Sequence, residues 1–182
     1  IPRGYAGGYA MMLPREETYT STKKELLERI TGLLGGRVAE ELVYNEVSTG
    51  AHNDFEKATK IARAMVTEYG MSDLGPIQFE QEEGGVFLGR DYNKSKNFSN
   101  EVAHDIDIEM RKIINECYDN AKKILKENMS LLELIANALL ENETLTKEQI
   151  DYLAENGKMP DEDLVVEEKE EKPKKETKKK DK

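Results

Sequence analysis

Residues 48–70 read STGAHNDFEKATKIARAMVTEYG, and the reading of this stretch decides the fold. Phe55, Ala58, Ile61, Ala62, Met65 and Val66 recur at steps of three and four, the spacing of one helix face. The segment is therefore expected to be a turn followed by an amphipathic helix. Asn53 and Glu56 resemble a capping box, and Gly70 suits a left-handed residue that closes the helix. The first turn crowds His52, Asn53, Asp54 and Glu56 together. A capping role and a metal-binding role both account for a carboxylate there, and they imply different proteins.

The same periodicity extends outward in both directions. Thr22-Lys23-Lys24-Glu25 is a capping-box pattern ahead of Leu26, Leu27, Ile30, Leu33, Leu34, Val38 and Leu42. Gly32, Gly35 and Gly36 interrupt that helix, each at about 1 kcal/mol relative to Ala in a helix interior. Three glycines in five positions point to the close approach of another backbone, or else to a break in the helix. Downstream, Ser99 is placed to cap a long helix striped by Val102, Ile106, Met110, Ile113, Cys117, Ala121 and Ile124. Leu131, Leu132, Leu134, Ile135, Ala138 and Leu139 are expected to supply its antiparallel partner. Thr146-Lys147-Glu148-Gln149 opens a last short helix. The N-terminal stretch around Tyr9, Met11 and Leu13 alternates weakly and ends at Pro14, which suits a short edge strand. Residues 71–98, with Gly75-Pro76 and Gly84-Gly85, read as a long loop of the kind that is often functional.

Composition narrows the classes. The 182 residues carry a formal net charge of −10 and include one cysteine and no tryptophan. An acidic chain lacks the clustered Lys and Arg that nonspecific nucleic-acid binding requires, so no nucleic-acid partner is expected. No apolar run reaches the 18 or so residues of a membrane span, and no signal peptide opens the chain. Cys117 has no partner for an internal disulfide and reads as a small buried hydrophobe in a reducing compartment. Residues 160–182 hold nine acidic and eight basic side chains and little that is apolar. Such a segment cannot offset its ordering entropy, and a disordered charged tail over 158–182 is expected after a folded domain over 1–157. Removing 160–182 leaves 28 acidic and 19 basic residues, a net −9, so the acidity belongs to the folded part. The opening Ile1-Pro2-Arg3-Gly4 suggests a chain cut from something longer.

The polar inventory for chemistry is thin. Hydrolytic zinc sites usually use three protein ligands and keep a fourth position for water, often with two histidines from a His-Glu-x-x-His helix. Here His52 and His104 are the only histidines, and neither sits in that motif. His104 reads as an ordinary helix residue. One histidine and one aspartate, His52 and Asp54, make an incomplete site. Asp54 in a first helical turn also gains about 0.3–1 kcal/mol from the helix dipole with no metal at all. Glu40 and Glu41, near the end of the first helix, oppose its dipole and so call for partners. No Gly-rich phosphate loop, Cys-x-x-Cys pair or serine elbow is present.

LLGGRVAEELVY (33–44), STGAHNDFEKATKIARAMVTEYGMSDLGP (48–76) and VFLGRD (86–91) together resemble the peptidase domain of the FtsH family of membrane-anchored, ATP-dependent zinc metalloproteases. The likeness runs from Ile1 to about Leu153. It implies a mainly α fold: a helical zinc-peptidase domain fragment with a short N-terminal edge strand and a charged tail. By this resemblance Asp54 matches the aspartate that serves as third zinc ligand. Glu40 falls near the metal, where it would orient a ligand. His52 falls where the family has no zinc ligand. The resemblance also implies one zinc ion per subunit, ATP bound by a separate module, and a homo-hexamer at the cytoplasmic face of the membrane. Its substrates would be unfolded or membrane proteins, and the strand near Gly8–Leu13 would pair with their backbone. The His-Glu-x-x-His helix, whose glutamate is the general base, would lie upstream of Ile1, so no catalytic residue is expected within the chain. The chain alone would then neither hold zinc tightly nor cut peptides. The competing reading is a non-catalytic acidic helical module for oligomerisation or scaffolding, with Asp54 only capping its helix.

Overall fold

The computed structural model of the protein describes residues 20–80 and 98–160. Five α-helices account for most of them, as a mainly α reading requires: α1 (Lys23–Tyr44), α2 (His52–Thr67), α3 (Asn100–Glu127), α4 (Met129–Asn142) and α5 (Lys147–Asn156). The proposed strand near 8–13, most of the loop over 81–97 and the tail beyond 160 lie outside the described residues. The helices fall into two compact units, one holding α1 to α3 and the other α4 and α5.

In the first unit, α1 starts at the Thr22 capping box. The Thr22 hydroxyl accepts the Glu25 N–H at 3.2 Å, and the Glu25 carboxylate accepts the Thr22 N–H at 2.6 Å. Leu26, Ile30, Leu34 and Val38, four residues apart, are the buried stripe of α1. Ile30 and Leu34 meet Ala58, Ala62, Met65 and Val66 from α2 and Ile106, Ile113 and Cys117 from α3. Burial of each large aliphatic side chain contributes about 1.5–3 kcal/mol relative to exposure. The small alanines of α2 let the three helices approach closely. The buried face of α3 packs against α1 and α2, earlier in the chain.

Two expectations change. α1 runs through Gly32, Gly35 and Gly36 without a break. A Cβ at Gly35 or Gly36 would meet no described atom within 4 Å, so no described backbone approaches those two glycines closely. The capping box assigned to Asn53 and Glu56 does not form either. The N-cap of α2 is Ala51, no side chain caps it, and Glu56 instead pairs with Lys60 at 2.7 Å. The chain has already turned into a 3-10 turn at Thr49–Ala51, capped by Ser48, so Asn53 is helical and past the cap position.

The exit from α2 is fixed at several points. Gly70 adopts φ +60°, and a Cβ there would stand 2.8 Å from the Pro76 Cα. The buried Thr67 carbonyl accepts the N–H groups of Phe79 and Glu80 at 2.7 and 3.1 Å. Arg63 makes two bonds to the Glu80 carboxylate, and Phe79 packs edge-on against Phe98 with 6.2 Å between ring centres. Residues 80 and 98 thus leave from neighbouring points. Ser99 caps α3 as expected, its hydroxyl accepting the Val102 N–H at 3.2 Å.

In the second unit, α4 packs against α5 with Ala138 and Leu153 buried. The Thr146 capping box with Gln149 is present, and Gly157 at φ +68° ends α5. Among the described residues no helix is long and apolar enough to cross a membrane.

Candidate metal centre

The end of α1 and the start of α2 converge on one short turn. α1 stops after Tyr44, where Asn45 takes a left-handed conformation (φ 53°) and returns its N–H to the Glu41 carbonyl at 3.1 Å. The chain then reaches Ser48, whose hydroxyl does two jobs. It donates to Glu40 Oε1 at 2.5 Å and accepts the Gly50 N–H at 3.1 Å. The second Glu40 oxygen accepts the Ser48 N–H at 3.1 Å. These bonds, the hydroxyl first, hold the Glu40 carboxyl below its ordinary range, and Arg37 adds a weaker pull in the same direction. A Cβ at Gly50 would lie 3.2 Å from the Ser48 hydroxyl oxygen, so the turn is tight where it passes this carboxylate.

Arg37, one helical turn before Glu40, works on the same segment. Its Nη2 donates to the Ser48 carbonyl at 2.7 Å, and its guanidinium carbon lies 4.7 Å from the centre of the Phe55 ring. Its Nε is buried with no hydrogen-bond partner, 3.8 Å from Glu40 Oε2. Arg37 and Ser48 were not singled out by motif. The available signal was spacing, because Arg37 and Glu40 at i and i+3 share a helix face.

Glu41 faces elsewhere. Its carboxylate accepts a 2.6 Å bond from Lys122 and a bond from the Tyr118 hydroxyl, both on α3. Lys122 and Tyr118, in that order, lower the Glu41 pKa, and the carboxylate in turn pushes the Tyr118 phenol up to about 12. This resolves the unfavourable placement of two carboxylates at a helix C-terminus. Glu40 is satisfied by the turn and Glu41 by α3.

Asp54 occupies the third position of α2, half-buried. It makes no hydrogen bond or ion pair with any described residue, and it does not cap its helix. His52, which opens α2, is exposed, as is His104 on α3. Among the described residues no three His, Cys, Asp or Glu side chains converge as a metal site.

A model of peptidase family M41 matches residues 1–153. The chain belongs to this family. It is 60% identical over 171 residues to the ATP-dependent zinc metalloprotease FtsH of Bacillus subtilis, an alignment covering 93% of the chain and 27% of that protein. Similar likenesses link it to proteins of the same name from Alkalihalophilus pseudofirmus (60% over 163 residues; 88% of the chain, 24% of that protein) and Acholeplasma laidlawii (58% over 159 residues; 87% and 25%). The M41 chain spans about a quarter of the length of these curated relatives. The family suggested by its motifs is thereby established.

The donor chemistry of the M41 chain fits a zinc ion in one respect. Zinc accepts carboxylate oxygen at about 2.0–2.2 Å. Asp54 offers such an oxygen with no described competitor for its lone pairs, whereas Glu40 has both oxygens engaged by Ser48. Asp54 therefore suits direct ligation, and Glu40 suits support.

Proposed function

We propose that the chain is the C-terminal part of the peptidase domain of an ATP-dependent zinc metalloprotease. In this reading residues 1–157 belong to the peptidase domain and 158–182 form a charged tail. The intact protein would be a membrane-anchored homo-hexamer facing the cytoplasm, with proteins as substrates, misfolded and membrane proteins among them. Its remaining zinc ligands and general base would come from a His-Glu-x-x-His helix elsewhere in the polypeptide, and ATP would bind a separate module.

Within that enzyme Asp54 would hold the zinc ion. A bound zinc ion polarises the scissile carbonyl and lowers the pKa of water. The residues of this chain do the holding and aiming. α2 presents Asp54 from its first turn, where the helix dipole favours a negative carboxylate. Glu40 fixes the turn ahead of α2 through Ser48, so the Asp54 side chain starts from a defined backbone.

The observation that carries the reading is the contrast between neighbouring carboxylates. Glu40 and Glu41 are engaged by partners, while half-buried Asp54 has none among the described residues. The test is Asp54→Ala in the full-length protein. Zinc measured by elemental analysis should fall well below one per subunit, and casein degradation should stop while ATP hydrolysis continues. Wild-type zinc content with normal proteolysis would overturn the assignment.

A further inference from the structure

We infer that Arg37 is a positioning residue for the metal centre, acting on Asp54 through the backbone. The inference rests on the reading of Asp54 as a zinc ligand.

The argument is one of connectivity. The turn that leads to Asp54 leaves α1 at Tyr44 and re-enters regular structure at Thr49, and Asp54 follows as the third residue of α2. A single guanidinium contacts both flanks of residues 49–54. On the upstream side Nη2 binds the Ser48 carbonyl at 2.7 Å, six residues before Asp54. On the downstream side the same guanidinium lies 4.7 Å from the ring of Phe55, the next residue after Asp54. Glu40 reinforces the upstream anchor through the Ser48 hydroxyl and N–H. α2 has no side-chain cap of its own, and the bonds from Arg37 and Glu40 to Ser48, with the Arg37 contact to Phe55, tie its start to α1.

Arginine is the residue type this arrangement requires. Its planar fork can donate in the plane of the group while its face lies over an aromatic ring, whereas lysine has a single nitrogen and no flat face to stack. Leaving Nε buried without a hydrogen bond is unfavourable on its own. The contacts of the other guanidinium atoms keep the group in place.

The experiment uses the full-length protein with Arg37→Met, Asp54→Ala and Tyr118→Phe. Tyr118→Phe breaks the Glu41 contact on the other side of the same helix end, and so controls for general loosening of α1. Zinc affinity is read by competition between apo-protein and a chromophoric chelator. Arg37→Met should weaken zinc binding by about 10–100-fold, the range typical of groups that orient metal ligands. Amide exchange over residues 49–54 should accelerate in the same variant without metal. Tyr118→Phe should leave both unchanged. Arg37→Lys, which keeps the charge, should show an intermediate loss, and it carries the test if Arg37→Met does not accumulate.

If Asp54→Ala loses zinc while the Arg37 variants bind it within about twofold of wild type, the positioning role is wrong and the ligand assignment stands. An equal loss in Tyr118→Phe would also overturn it, because the effect would then be general destabilisation. Retention of zinc by Asp54→Ala would remove the reading on which the inference rests.

Discussion

The carboxylate of Glu40 accepts both the hydroxyl and the backbone N–H of Ser48, at 2.5 and 3.1 Å, so the end of α1 holds the turn that leads into α2. The Ser48 hydroxyl also accepts the Gly50 N–H, which makes it the cap of the 3-10 turn. Ser48→Ala removes the two bonds of the hydroxyl and keeps the backbone N–H bond to Glu40. Loss of a serine cap typically costs about 0.5–2 kcal/mol. A lower urea midpoint at neutral pH, with an unchanged denaturant slope, is the expected outcome; an unaltered midpoint would mean that the turn is held by other means.

Acid should weaken the same region. Glu40 and Glu41 both titrate below the ordinary carboxylate value of 4.5, Glu40 because of Ser48 and Glu41 because of Lys122 and Tyr118. A carboxylate with a depressed folded-state pKa adds stability that is present above its unfolded value and lost as pH falls through its folded value. The stabilising share of these groups should therefore be complete at neutral pH and disappear below about 4.5. Comparison of urea midpoints for wild type and Glu41→Gln tests this. The gap between them should close as pH falls, and a pH-independent gap would show that charge on Glu41 contributes nothing.

Glycines in this chain should respond to alanine with opposite signs. At Gly70 the backbone is left-handed and a Cβ would press on the Pro76 backbone at 2.8 Å, so Gly70→Ala should destabilise by more than about 1 kcal/mol. At Gly36 the backbone is helical and a Cβ meets open space among the described residues. Gly36→Ala should therefore raise stability by about 0.5–1 kcal/mol. Thermal melts of the two variants against wild type decide the matter, and a destabilised Gly36→Ala would reveal a neighbour outside the described residues.

What could be read from the residues was local. The Thr22 and Thr146 capping boxes, the Ser99 cap and the apolar stripes of α1, α2 and α3 follow from short-range spacing and are present, except that Ile124 at the end of the α3 stripe is exposed. That α1 and α2 cover α3 was not legible, because an apolar stripe states that something covers it without saying what. Asn53 was misread as a cap because the preceding 3-10 turn shifts the helix start by two residues, and nothing in the short pattern reveals that shift. Asp54 and Glu40 came from resemblance to a family. Arg37 is legible only once α1 and the start of α2 are side by side, since Ser48 and Phe55 are 11 and 18 positions away from it.

The Tyr118 phenol offers a test at the other end of the pH scale. Its hydroxyl donates to Glu41, and ionising it would place two negative groups in contact, which is why its pKa rises from 10.0 to about 12. The sign is opposite to that of the carboxylates. A group whose folded-state pKa is raised contributes stability that is complete below the unfolded value, near 10, and is lost as pH rises through the folded value, near 12. In that window the unfolded chain releases the Tyr118 proton while the folded chain keeps it, so alkali favours unfolding. Tyr118→Phe cannot respond in this way. The wild-type urea midpoint should therefore fall more steeply than that of Tyr118→Phe between pH 10 and about 12. Native-state tyrosinate absorbance should show one late-titrating phenol that the variant lacks. Parallel midpoint curves, or a native titration with no such phenol, would mean that Glu41 is held by Lys122 alone.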